Sequence, residues 1–253
     1  MVIVEAAGKG EGAPGAILSL VYAPGERPDV EALVGLAAAG GTTTPFALSH
    51  IASEPENWVE LLAAGLTFDC RGLAPGVVAT WPGAGALLGL HAPPPGETIT
   101  LQPSPHLAEG RGLLPVVRVI AGLGGQLAEL PGLLAVHWNP ARCWMAPKYF
   151  CGVVADWLSG GAFPALGLTS LQRGSDGTMV TAGLDYLIGQ ELRFEPDRKL
   201  VPAAVARIAV RLIHDLVETG PLRREGEFTG PEGEVLRVEP VRRGRHLRVS
   251  LLK

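Results

Sequence analysis

Cysteine is scarce: Cys70, Cys143 and Cys151 are the only three, and none stands in a CxxC spacing. Three thiols cannot all pair with one another, which argues against a disulfide scaffold and for reduced thiols in a cytoplasmic protein. Aromatic residues make up 6% of the chain and charged residues 18%. No apolar run approaches the roughly 18 residues that a membrane-spanning helix needs. The nearest, residues 113–125, is interrupted by Pro115, Arg118 and several glycines, so no membrane partner is expected. The opening MVIVEAAGKGEG places no basic stretch ahead of its apolar run, so no signal peptide is expected either. A formal net charge of −4 gives no global attraction to nucleic acid or to an anionic surface.

Motif spacings are absent too. There is no HxH, HExxH or DxD, so no metal site is expected. Gly8-Lys9-Gly10 lacks the GxxxxGK[ST] spacing of a phosphate cradle, and Gly122-Leu123-Gly124-Gly125 never completes GxGxxG, so no cofactor is expected. That glycine cluster sits inside a helical pattern and reads as a site of helix packing or a kink.

What the chain has in quantity is apolar surface, at 47% of residues, together with 34 glycines and 22 prolines. This is the composition of a folded globular protein, and 253 residues suffice for a sizeable core. Abundant Ala, Gly and Pro, with arginine far above lysine, reads as the coding bias of a bacterial genome. By periodicity, strands are expected at 2–5, 16–22, 66–70, 77–81, 86–91, 133–138 and 165–171. Helices are expected at 28–39, 53–64, 113–130 and 147–159. The helix at 53–64 rests on a capping box, Ser53 with Glu56, and on Gly65 as its stop. Residues 8–14 read as a glycine-rich loop. A C-terminal hairpin over 234–239 and 245–252 turns through Arg243 and Gly244. Such irregular alternation favours an α+β fold, with mixed and antiparallel sheets packed with helices, over a regular doubly wound sheet. A single globular α+β domain over 1–253 is expected, built of two similar halves. The half-boundary is placed near 93–105, at Pro93-Pro94-Pro95-Gly96.

The most legible stretch is 181–220. Leu192 and Phe194 alternate with Glu191, Arg193 and Glu195, the period of a strand with one buried face, and the charged three read as its solvated side. Val205, Ile208, Ala209, Leu212, Ile213, Leu216 and Val217 then form the stripe of a helix packed on a core, closed by Gly220 and Pro221. Gly183-Leu184, Gly189 and Glu191 open the strand, and Gly226, Thr229 and Gly230 follow the helix. On these residues, with 133–138 and the Phe163-Pro164 turn upstream, the C-terminal part resembles an uncharacterised bacterial family, domain-of-unknown-function family 4261. The resemblance implies no established activity; it implies a toxin–immunity neighbourhood and so an immunity or accessory role. As residue types, Gly183, Leu184, Gly189 and Glu191 shape backbone and do no chemistry.

Reactive side chains are densest at His137, Trp138, Arg142, Cys143 and Trp144, between a predicted strand and a predicted helix. As a ligand site, Trp138 and Trp144 would stack a ligand, Arg142 would pair with a carboxylate or phosphate, and Cys143 or His137 would react. As core, the tryptophans are anchors and Cys143 a small apolar filler. The basic hairpin tip, Arg242, Arg243, Arg245, His246 and Arg248, lacks the interleaved aromatics of a nucleic-acid platform and reads as a solvated device against edge pairing. With no catalytic spacing, the function expected is a non-catalytic cytosolic binding or interaction protein of immunity or accessory type, its partner another protein. The alternative is a small-molecule enzyme or ligand-binding protein using the His137–Trp144 loop.

Overall fold

A computed structural model of the chain describes residues 4–5, 15–40, 44–52, 58–196 and 201–252. Its elements run β1 (Val4–Glu5), β2 (Leu18–Tyr22), α1 (Val30–Ala38), β3 (Ala47–Ile51), β4 (Val59–Ala63), β5 (Leu66–Arg71), β6 (Ala86–Leu88) and β7 (Glu97–Pro103). Next come α2 (Leu114–Leu127), β8 (Leu133–Trp138), β9 (Cys143–Met145), α3 (Pro147–Leu158), α4 (Ala165–Leu168), β10 (Ser170–Arg173) and β11 (Met179–Ala182). The chain ends with α5 (Leu184–Ile188), β12 (Glu191–Phe194), α6 (Pro202–Thr219), β13 (Gly226–Thr229), β14 (Val235–Val241) and β15 (His246–Leu251).

The fold is α+β, with two mixed sheets. One is eight-stranded in the order β3-β4-β5-β7-β2-β8-β9-β6, the other seven-stranded in the order β1-β10-β11-β12-β15-β14-β13. Most neighbours are antiparallel; β6 with β9, β1 with β10 and β12 with β15 are parallel. Both sheets follow one plan: an opening strand, a helix, and a meander whose last strand pairs with the opening strand. In the first sheet β2 and α1 lead into β3, β4, β5 and β7, and β7 pairs with β2. In the second, β12 and α6 lead into β13, β14 and β15, and β15 pairs with β12.

Alternation along each strand decides which face a side chain packs on. Leu18, Leu20 and Tyr22 of β2, Ile99 and Leu101 of β7, and Phe68 and Cys70 of β5 join one core with Leu33 of α1, Ile120 and Leu123 of α2, and Phe150 of α3. The hydroxyl of Tyr22 donates to the Leu127 carbonyl at 3.0 Å, so its burial leaves no polar group orphaned. A second core joins Leu192 and Phe194 of β12 to Ile208, Leu212, Ile213 and Leu216 of α6 and to Leu247 and Val249 of β15. Phe194 is 2% exposed and Leu212 not at all, as the alternation at 191–195 and the stripe over 205–217 predict. Burying each such side chain contributes about 1.5–3 kcal/mol.

Several expectations are corrected. Residues 59–63 are strand, not helix: Val59, Leu61 and Ala63 are buried at every second position, and Ala64 and Gly65, both at positive φ, make the turn into β5. Two central residues with φ > 0 match the twist of a hairpin, and that period-2 pattern overrides the apparent helix stop. The capping residues Ser53 and Glu56, like the loop expected at 8–14, lie outside the described residues. Residues 77–81 form no strand; Ala79 makes one isolated bridge to Thr98, and Val77 is 84% exposed. Residues 165–168 form a short helical turn before β10, broken at Gly167, where φ is 118°. The segment 93–105, expected to divide the halves, contains β7, an inner strand of the first sheet; the chain starts in the second sheet with β1, runs through the first from β2 to β9, and returns to the second between Met145 and Ser170. The C-terminal hairpin is not an edge: β14 and β15 are interior, and β13 is the outer strand.

Gly122 and Gly124 of α2 are packing residues. A Cβ on Gly124 would strike the Leu18 side chain and lie 3.2 Å from the Phe150 ring, and one on Gly122 would strike Thr44 and Leu158; one on Gly125 would meet nothing. Gly124→Ala is therefore expected to destabilise by about 1–3 kcal/mol, because overpacking outweighs the gain in helix propensity. Gly125→Ala, free of that clash, is expected to stabilise by up to about 1 kcal/mol. Urea unfolding of the two variants checks this, and equal responses would refute the packing role.

Candidate functional site

The loop singled out in the sequence is a hairpin, β8–β9, with its turn at 139–142. Its register pairs His137 with Trp144 and Trp138 with Cys143. Side chains alternate across a strand, so the two pairs lie on opposite faces of the sheet. Trp138 and Cys143 belong to the helix-covered core, whereas Trp144 packs with Val21 and Ala135 on the other face. There the Trp81 and Trp144 rings stand 5.2 Å apart, His137 lies 4.7 Å from Trp144, and the Trp144 indole donates to the Gly83 carbonyl at 2.9 Å. Arg142 sits half-buried in the turn, its φ at 50° and its carbonyl accepting from the Ala86 amide. These five candidates therefore line no common cavity, and the sheet itself separates His137 from Cys143.

Their electrostatics agree. Burial pushes the Cys143 thiol up to about 12 and draws the His137 imidazole down to about 4, with nearby Arg142 lowering His137 further and Asn139 opposing. His137 is therefore neutral near pH 7. Asn139 donates its amide to the Ala16 carbonyl at 3.0 Å, which turns its oxygen toward His137 Nδ1 at 2.6 Å and the Ser19 hydroxyl at 3.2 Å. That oxygen is an acceptor, so Nδ1 carries the proton. Asn139 is thus a brace between β2 and β8, with its oxygen and one amide hydrogen committed.

A cleft of about 450 Å³ does open beside this hairpin, at its turn. Asn139 and Pro140 form one wall, Gly15 to Ile17 ahead of β2 another, and Arg111, Asp185 and Tyr186 close it. Arg111 comes from the turn before α2, whereas Asp185 and Tyr186 come from α5, so both sheets contribute. Two close approaches hold the walls. Gly183, at φ 90°, lies where a Cβ would be 2.9 Å from Ala141 backbone atoms and the Leu168 carbonyl, and a Cβ on Gly112 would strike the Tyr186 carbonyl. The Ser170 hydroxyl donates to the Ala141 carbonyl at 2.7 Å, and the Tyr186 hydroxyl donates to the Arg111 carbonyl.

The motif residues Gly183, Leu184, Gly189 and Glu191 frame α5. Gly183 and Gly189 bound it at left-handed φ, Leu184 is buried in the second core, and Glu191 ties it down. The Glu191 carboxylate accepts from the Asp185 amide at 3.1 Å and from the Thr181 hydroxyl, which in turn accepts from the Leu192 amide at 2.8 Å. The expected solvated face of β12 is corrected here: Glu191 is 9% exposed, because β11 and β15 flank the strand. Burial first, then the Asp185 carboxyl, raises Glu191 to about 8. At the basic tip, Gln190 donates to the Gly244 and Leu222 carbonyls at 2.8 and 2.9 Å, and Arg248 pairs with Glu239. Among the described residues no trio of His, Cys, Asp or Glu gathers to hold a metal, and no helix is long and apolar enough to cross a membrane.

Sequence reasoning missed Arg111, Tyr186 and 15–17 as cleft residues, since nothing in their spacing marks them. Asp185 carried one signal, its place beside Gly183-Leu184. Compared with known proteins, the chain matches no family model, no curated protein and no solved structure.

Two outcomes follow from this geometry. In thiol labelling near pH 8, half-buried Cys151 is expected to react first, with Cys70 and Cys143 protected until unfolding; rapid labelling of Cys143 would contradict its burial. Glu191 holds a proton in the folded state between pH 4.5, its unperturbed value, and about 8, where the unfolded chain has released it. Its contribution to stability is therefore full below pH 4.5 and is lost as pH rises through 8. Glu191→Gln is expected to gain on the wild type as pH rises across that window, read by urea unfolding at a series of pH values; the opposite trend would refute the assignment.

Proposed function

We propose that this chain is a non-catalytic, cytosolic binding protein whose ligand sits in the cleft between the two sheets. The observation that carries the reading is the convergence of Arg111, Asn139, Asp185 and Tyr186, from both sheets, on one opening of about 450 Å³. Such a volume suits a small molecule or one protruding end of a larger partner, and a few convergent polar groups are what orient a ligand. The catalytic alternative at the His137–Trp144 hairpin draws no support, because its nucleophile and base face opposite ways and the thiol is held protonated. Membership of domain-of-unknown-function family 4261, with the immunity or accessory role it implies, is part of the proposal and rests on Gly183, Leu184, Gly189 and Glu191.

The test is a thermal-shift screen with sugar phosphates, nucleotides, dicarboxylates, polyamines and amino acids, on the wild type and on an Arg111→Ala/Asp185→Ala double variant. A ligand at about a hundred times its Kd stabilises by about 2.7 kcal/mol, or several degrees for a chain this size. At least one class is expected to raise the wild-type Tm by that amount and to leave the double variant unmoved. No shift from any class, or a shift that survives in the double variant, would overturn the reading.

A further inference from the structure

We infer that the cleft takes a small zwitterion, a molecule presenting a carboxylate and an ammonium group together, such as a free amino acid. This rests on the cleft being the ligand seat. The inference comes from asking which lining groups remain available. Asn139 has its oxygen on His137 and Ser19 and one amide hydrogen on the Ala16 carbonyl, which leaves it a single neutral N–H and no charge to offer. Tyr186 spends its hydroxyl hydrogen on the Arg111 carbonyl. Ile17 is buried, and Pro140 has no amide hydrogen to offer. Two charged side chains are left, both exposed: the Arg111 guanidinium and the Asp185 carboxylate. Among the described residues neither has an ion-pair partner, and they do not pair with each other although they line the same cleft.

A cation and an anion, each without an ion-pair partner among the described residues, select a ligand by its signs. A dicarboxylate or phosphate would gain Arg111 but set negative charge against Asp185, and a polyamine would gain Asp185 but meet Arg111. A zwitterion satisfies both, with the planar guanidinium accepting a carboxylate in a forked pair and the aspartate receiving the ammonium. Rejection of singly signed ligands through the mismatched charge is the repulsive half of such selectivity. The fold supports the arrangement. Glu191 holds the Asp185 amide from below at 3.1 Å, which fixes the backbone that carries the Asp185 side chain.

Isothermal titration calorimetry on the full chain tests this, with the twenty standard L-amino acids as probes, followed by the amide and the N-acetyl derivative of the best binder. At least one amino acid is expected to bind, and its amide and its N-acetyl form are each expected to bind at least tenfold more weakly. Asp185→Asn is expected to weaken the free amino acid at least tenfold while leaving its N-acetyl form unchanged, and Arg111→Gln to do the same with the amide left unchanged. Both residues are exposed, so circular dichroism should show the variants folded as the wild type. Binding of succinate or putrescine in an Arg111- or Asp185-dependent manner, with no amino acid bound, would overturn the zwitterion and leave the cleft as the seat. Absence of binding by every one of these probes would overturn both.

Discussion

The contact on which the molecule depends is the seating of α5 on the β8–β9 hairpin. Gly183 lies so close to Ala141 that no side chain fits between them, and Gly112 approaches the Tyr186 carbonyl in the same way. A glycine is required at 183 twice over, by its left-handed φ of 90° and by the missing space for a Cβ. The hydroxyls of Ser170 and Tyr186 then fasten the joint with bonds to the Ala141 and Arg111 carbonyls. These contacts bring the two sheets' irregular segments together at one place. Without them Arg111 and Asp185 would stand on unrelated surfaces.

The same packing silences the reactive residues. His137 and Cys143 look like a pair in the sequence because they are near in number, but strand alternation sends them to opposite sides of a single layer. Desolvation completes the separation, favouring the neutral imidazole on one side and the neutral thiol on the other. Asp69, a charged group on the outer face, is answered locally. At 2% exposure, it accepts from the Ser104 hydroxyl at 2.9 Å and from Arg71 at 2.9 Å, and the Arg71 guanidinium lies 4.7 Å from the Trp58 ring centre. A buried carboxylate with such partners is a structural element of the sheet.

Much of the fold was legible because periodicity is a local signal. The stripe from Val205 to Val217 announces α6, and Leu192 and Phe194 announce β12, since both patterns repeat within one element. The α+β class followed from their irregular mixture. Residues 59–63 misled because Glu60 and Leu62 face outward on a strand too short to outvote an apparent capping box at 53–56, and 77–81 misled because apolar residues there stay exposed. The three-residue strand β9 was too short to show as a period at all, and its absence turned a hairpin into a supposed strand-to-helix junction. The cleft was illegible for a different reason. Arg111, Asn139 and Asp185 are brought together only by the pairing of two sheets, and no single window of sequence contains that information. Glu191 was visible as a motif residue but read as solvated, because its burial comes from β15, more than fifty residues later.

The shared plan of the two sheets explains why the cleft lies where it does. Each sheet is organised by an opening strand with partners on both sides, β2 between β7 and β8, and β12 between β11 and β15. The segments that enter these strands, Gly15 and Ala16 for β2 and α5 for β12, lie outside the ladders and turn at the sheet margin. Both turn toward the same opening. Ladder pairing holds each opening strand from both sides, so the residues just ahead of it are fixed in position while their side chains stay free of the ladder. A rigid frame with unpaired groups at its margin is the arrangement a preorganised binding site needs, because the cost of ordering those groups is met on folding and not on binding. Arg111 and Asp185 sit at that margin, their backbone held by Tyr186 and Glu191 while their side chains line the cleft.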